Sequence, residues 1–76
     1  MPTITAFVLI LVKSGEEDTV LEEIRKMKEV KEARIVYGPW DLICRIEVEH
    51  INQLQTFIYE LRKIPGVEQT TTLIST

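Results

Sequence analysis

The stretch VKEARIVYGPWDLICRIEV, Val30 to Val48, decides the fold, because it holds two apolar runs joined by the turn Tyr37-Gly38-Pro39-Trp40-Asp41. Val30 to Tyr37 alternates in part: Ala33, Ile35 and Tyr37 share one face, while Lys31, Glu32 and Arg34 interleave as in an edge strand, where Lys31 and Glu32 discourage pairing with foreign strands. Asp41 to Val48 alternates more cleanly, with Leu42, Cys44, Ile46 and Val48 inward and Arg45 and Glu47 outward, Ile43 among them. Two such runs across a short link read as a β-hairpin.

A helix and a strand flank the hairpin on either side. Ile4 to Val12 is apolar at both parities, with Ala6, Val8, Ile10 and Val12 on one face and Phe7, Leu9 and Leu11 on the other, so this strand is expected to be buried on both sides. Ser14-Gly15-Glu16-Glu17 then reads as a capping box for a helix reaching to about Lys28, with Val20, Leu21, Ile24 and Met27 as its core stripe and Glu16, Glu17 and Asp18 near its positive end. Beyond the hairpin, Asn52 is a candidate N-cap for a second helix carrying Leu54, Phe57, Ile58, Leu61 and Ile64, stopped by Pro65-Gly66. A last strand runs from Val67 to Ile74.

The order is β-α-β-β-α-β, and its halves echo each other: Leu21, Ile24, Met27 and Val30 recur in spacing as Ile58, Leu61, Ile64 and Val67. Two βαβ-like units sharing one antiparallel sheet predict an α+β, ferredoxin-like sandwich of four strands with two helices on one face. Right-handed crossovers put the first and third strands at the sheet centre. Helices then cover one face only, which leaves Phe7, Leu9, Leu11 and Ile43 as an uncovered apolar patch. Burying each in an interface is worth roughly 1.5–3 kcal/mol, so the expected state is a homo-oligomer in which two sheets pack face to face, a dimeric α/β barrel-like assembly.

Composition agrees with one small globular unit. A chain of 76 residues allows a single domain spanning 1–76, and it buries only about 60% of its unfolded surface, so a partner is expected to help stabilise it. Hydrophobic residues make up 45% and charged ones 28%, which excludes a disordered chain. Nine basic against 12 acidic residues leave a net charge of −3, the wrong sign for a nucleic-acid surface. One cysteine, Cys44, forms no intrachain disulfide and points to a reducing compartment. The apolar run Ala6 to Val12 ends at Lys13, far short of the roughly 20 residues of a membrane span, and nothing around it reads as a signal peptide. The expected location is the cytoplasm.

Most catalytic chemistry finds no residues to carry it. One Cys and one His make no metal site, and the loop Val12-Lys13-Ser14-Gly15 lacks the paired cysteines that a copper carrier of this fold would show there. Cys44 reads as core and His50 as a solvated or capping residue; neither has a nucleophile's partner at recognisable spacing. No cofactor and no enzymatic activity are expected. The charge run Glu22, Glu23, Arg25, Lys26 and Lys28 reads as a solvated helix face. Thr70 and Thr72 fall on one face of the last strand, in keeping with strand propensity or with contact to a polar ligand.

The central turn has two readings on its residues alone. Gly-Pro suits a hairpin loop that does nothing further, with Trp40 packed at a subunit interface. Alternatively, Gly38 opens backbone amides to close approach and Trp40 sets a large ring beside the Asp41 carboxylate, a place to hold a small polar ligand.

Val36 to Leu42, followed after a helix by Ile64-Pro65-Gly66-Val67-Glu68-Gln69-Thr70-Thr71-Thr72, resembles the effector-binding (RAM) domain of the Lrp/AsnC family of amino-acid-responsive transcription regulators. Gly38 and Asp41 match the family's Gly-x-x-Asp turn, and Pro65 through Thr72 match its Pro-Gly-Val-x-x-Thr-x-Thr stretch, so the likeness covers essentially the whole chain. The resemblance implies a sheet-to-sheet dimer assembled further into an octameric ring, with a free amino acid bound between dimers near the turn. The ligand-contacting set is then Tyr37, Gly38, Trp40, Asp41, Thr70 and Thr72. Asp41 can neutralise an ammonium and amides beside Gly38 can receive a carboxylate.

Family regulators carry an N-terminal helix-turn-helix domain, whereas this chain begins at its first strand. The expectation is therefore a stand-alone sensing and oligomerisation module that binds no nucleic acid directly and modulates full-length Lrp/AsnC-type regulators by co-assembly. Two other readings predict different behaviour: a small dimeric enzyme on the same fold needs an acid–base pair in a sheet–helix cavity, and a structural adaptor assembles whether or not a metabolite is present.

Overall fold

Strict alternation in the two central strands sets the layers. The computed structural model describes residues 3–76 and contains, in order, β1 Ile4–Val12, α1 Glu17–Arg25, β2 Val30–Ile35, β3 Leu42–Val48, α2 Ile51–Arg62 and β4 Val67–Ser75. The sheet order is β2-β3-β1-β4 with every neighbouring pair antiparallel, so the first and third strands lie at the centre as the crossover rule requires. Ala6, Val8 and Ile10 of β1 and Leu42, Cys44, Ile46 and Val48 of β3 are buried, and they cluster with Val20, Leu21 and Ile24 of α1 and Leu54, Phe57 and Leu61 of α2. The opposite parity of β1, Phe7, Leu9 and Leu11, is half-buried, as is Ile43 of β3.

The internal echo persists in the backbone hydrogen bonds. After α1, Lys26 donates to the Glu23 carbonyl, Met27 to Ile24 and Val30 to Met27; after α2 the same three bonds recur as Lys63 to Glu60, Ile64 to Leu61 and Val67 to Ile64. Each helix thus ends in a tightened turn that delivers one apolar residue, Met27 or Ile64, to the edge of the core before the strand begins.

Strand β3 begins one residue later than the sequence reading, at Leu42, and β4 runs one residue further, to Ser75. Four other helix and strand ends depart from that reading more consequentially. The Ser14 capping box does not form: Glu16 occupies the N-cap of α1 with no side-chain bond, because a turn closed by the Glu16 amide on the Lys13 carbonyl, with Gly15 at φ +88°, holds Ser14 inside the turn. The helix stops at Arg25, not Lys28, where the turn just described takes over. His50, not Asn52, is the N-cap of α2; Gln53 reaches back, and its Oε1 accepts from the amides of Glu49 (2.6 Å) and His50 (3.0 Å). Finally, β2 ends at Ile35, so Tyr37 does not share the strand face of Ala33 and Ile35 but stands fully exposed.

Gly66 closes the second half onto the first. It adopts φ +100°, its carbonyl accepts from the Lys13 amide at 2.8 Å, and a Cβ there would lie 2.6 Å from Glu16 Oε1 and 3.0 Å from Val20 Cγ2. Gly66→Ala is expected to cost about 1–2 kcal/mol from the left-handed backbone alone. Gly15→Ala, at φ +88° with nothing within 4 Å, should cost less. Urea unfolding of the two variants checks the order.

Candidate functional site

The loop between β2 and β3 is held by one residue. The Asp41 amide donates to the Ile10 carbonyl at 3.0 Å, its carbonyl accepts from the Val36 amide at 2.9 Å, and its Oδ2 accepts from the Val12 amide at 2.9 Å. The last bond has a local cause. The β1–β3 ladder ends at the Ile10–Leu42 pair, so the Val12 amide, two residues further on and directed to the β3 side, meets no strand carbonyl, and the Asp41 carboxylate supplies an acceptor there. Asp41 therefore pins the hairpin loop to the end of the central strand, a role that linear pattern reading missed because its partner lies 29 positions away.

Above this anchor the loop is open. Gly38 adopts φ +135°, a conformation other residues reach only with strain, and a Cβ built there meets nothing within 4 Å. Tyr37 is fully exposed, and Trp40 and Asp41 are half-buried. Among the described residues no lysine or arginine forms an ion pair with Asp41. The loop thus offers unhindered backbone at Gly38 and, three residues on, a carboxylate fixed in place through one oxygen.

Thr70 and Thr72 lie elsewhere in the same chain. They pair with Ile10 and Val8, which puts them on the helix side of β4, and Arg62 Nε of α2 donates to Thr70 Oγ1 at 3.2 Å. Thr72 lines a groove of about 450 Å³ between α2 and β4 with Leu54, Ile58, Tyr59 and Ile74, none of which belongs to the loop. Thr70, Ile10 and Leu42 share one rung, so the threonine is two strand spacings, about 10 Å, from the start of β3. Within one chain the structure brings Tyr37, Gly38, Trp40 and Asp41 together and leaves the threonines across β1.

The helix-free face carries the apolar patch expected of it. Phe7 pairs with Arg45 and Leu73, and Leu9 with Ile43 and Thr71, so these side chains form a strip across the three strands β3, β1 and β4. Leu73 at the end of that strip is 53% exposed. Cys44 belongs to the other face: it is buried, and burial pushes its thiol up to about 11, which keeps it a protonated core side chain. Among the described residues there is no cluster of three or more His, Cys, Asp or Glu side chains placed to hold a metal, and no helix is long and apolar enough to cross a membrane.

Four antiparallel strands in βαββαβ order, with two helices on one face, define a ferredoxin-like α+β domain. The chain belongs to the Lrp/AsnC ligand binding domain family, whose model matches residues 5–76. It is similar to the HTH-type transcriptional regulator FL11 of Pyrococcus abyssi, with 35% identity over 69 residues that cover 91% of this chain and 46% of the regulator. The chain thus spans about half the length of the curated relatives it matches, all of them HTH-type transcriptional regulators. Among solved structures, FFRP-DM1 shares 42% identity at a TM-score of 0.92, covering 96% of this chain and 99% of that one. A Pyrococcus horikoshii protein, PHS023, shares 42% at a TM-score of 0.90, covering 96% and 89%.

Proposed function

We propose that this domain binds a small molecule of the free amino-acid type at a subunit interface and, by assembling with itself and with full-length Lrp/AsnC-type regulators, modulates transcription in the cytoplasm. The observation that carries this reading is the β2–β3 loop: Gly38 opens backbone beside Asp41, which is pinned by Val12 yet has no ion-pair partner among the described residues. An amino acid has the complementary chemistry. Its ammonium meets Asp41, its carboxylate meets amides beside Gly38, and Trp40 and Tyr37 wall its side chain. Thr70 and Thr72 enter such a site only through a neighbouring subunit, since within one chain they face α2.

The same reading covers the open sheet face with a second copy, and joins such dimers into a larger ring. Burial of Phe7, Leu9, Leu11 and Ile43 supplies the drive, at roughly 1.5–3 kcal/mol for each fully buried side chain. Ligand shifts assembly only as far as it binds the assembled state better. Calorimetry with a panel of the common amino acids, with mass followed by light scattering, tests this. Heat together with a change in mass is expected for at least one of them. Silence in both measurements across the panel overturns the sensor and leaves a structural adaptor.

A further inference from the structure

Beside its apolar centre, the helix-free face carries four charged side chains linked in one line. The β2–β3 register sets Glu32 opposite Arg45 and Arg34 opposite Ile43, all on the side away from the helices. Arg34 Nε donates to Glu32 Oε2 at 2.6 Å, Glu32 Oε1 lies 4.0 Å from Arg45 Nε, and Arg45 Nη1 donates to Glu47 Oε2 at 2.8 Å. The signs alternate along the line and sum to zero, on a chain whose net charge is −3. The Arg34 hydrogen bond also holds the Glu32 carboxyl below its usual range, so the line stays charged at neutral pH.

These pairs do little for a lone chain. Exposed ion pairs contribute little each, and screening by salt reduces even that. Their position gives them a different effect once another sheet covers the face. Arg45 and Glu47, 35% and 36% exposed, stand next to the apolar strip through the Phe7–Arg45 pairing, so a covering surface strips their water. A partner without matching charges strips that water and returns nothing beyond the pairing already made within the chain, which disfavours it. A line of alternating signs is complementary to its own two-fold image: an axis crossing its midpoint reverses the line and sets Arg34 against Glu47 and Glu32 against Arg45 of the second copy, whereas a patch of one sign meets itself.

We infer that the Arg34–Glu32–Arg45–Glu47 line selects the occupant of this face: it admits a second copy of this chain, seated so that opposite charges of the two copies meet, and rejects sheets that lack the pattern. The inference rests on the sheet-to-sheet assembly proposed above.

The test is a variant with every sign exchanged, Glu32→Arg, Arg34→Glu, Arg45→Glu and Glu47→Arg. It keeps the internal pairing and the net charge, so swapped chains should assemble as the parent does. Parent and swapped chains should not mix, because each contact between the lines becomes repulsive. After subunit exchange with isotope-labelled parent, native mass spectrometry should find the mixed dimer about tenfold below its statistical share. Statistical mixing overturns the inference while leaving the sheet-to-sheet dimer standing, and a parent chain that stays monomeric overturns both. If the fourfold variant does not fold, Arg45→Glu alone should raise the dimer dissociation constant about tenfold, and an unchanged constant overturns the inference.

Discussion

Asp41→Ala is expected to weaken the domain by about 1–3 kcal/mol and to weaken amino-acid binding at least about tenfold, whereas Asp41→Asn should weaken binding comparably but keep most of the stability. The split follows from the two oxygens of one carboxylate. Oδ2 accepts from the amide of Val12, a buried residue at the end of β1, and removing it leaves that amide without its acceptor. For 76 residues the total stability is about 4–11 kcal/mol, so the alanine variant stays folded with a measurably lower urea midpoint. An asparagine carbonyl can take the same bond from Val12, but it carries no charge for a ligand ammonium. Loss of a charged hydrogen bond of about 1.5–3 kcal/mol corresponds to roughly ten- to hundredfold in affinity. Urea unfolding and calorimetry on the two variants separate the roles. Normal binding by Asp41→Asn removes the carboxylate from recognition, and normal stability of Asp41→Ala removes its anchoring of the loop.

Leu9→Asp should reduce the assembly to single chains without unfolding them. Leu9 lies in the middle of β1, on the helix-free face, between Ile43 and Thr71. In an isolated chain the aspartate points to water, and its cost is the poor strand propensity of the residue, up to about 1 kcal/mol. Under a covering sheet the same change replaces a buried leucine, worth roughly 1.5–3 kcal/mol, with a charge, and a two-fold interface contains it twice. The dimer dissociation constant is therefore expected to rise by more than about a hundredfold. Light scattering reads the mass, and far-UV circular dichroism reads the fold. An unchanged mass places the subunit contact on another surface. Ala6, one layer across the sheet and fully buried beneath the helices, is the contrasting position: Ala6→Asp should unfold the chain, not merely dissociate it.

The elements were legible because their signals are local. Alternation in Leu42 to Val48, the stripe of Val20, Leu21 and Ile24, and the Pro65-Gly66 stop each depend on residues a few positions apart. The capping residues were not, since Ser14 and Asn52 have suitable side chains but the backbone path places Glu16 and His50 at the helix entrances. The site was legible only in composition. Tyr37, Gly38, Trp40 and Asp41 stand out as uncommon neighbours, yet the bond from Val12 that fixes Asp41 depends on where the pairing of β1 with β3 ends.

Periodicity and order in this sequence by themselves determined the four-stranded, two-helix sandwich, its core residues and its uncovered apolar face, because side-chain parity and helix spacing are properties of the chain at short range. Tertiary structure alone decided which residues across the sheet meet. It set Glu32 against Arg45, turned Thr70 toward Arg62, and brought the Asp41 carboxylate to Val12. Strand register, which couples distant positions and which no local pattern encodes, is the physical reason.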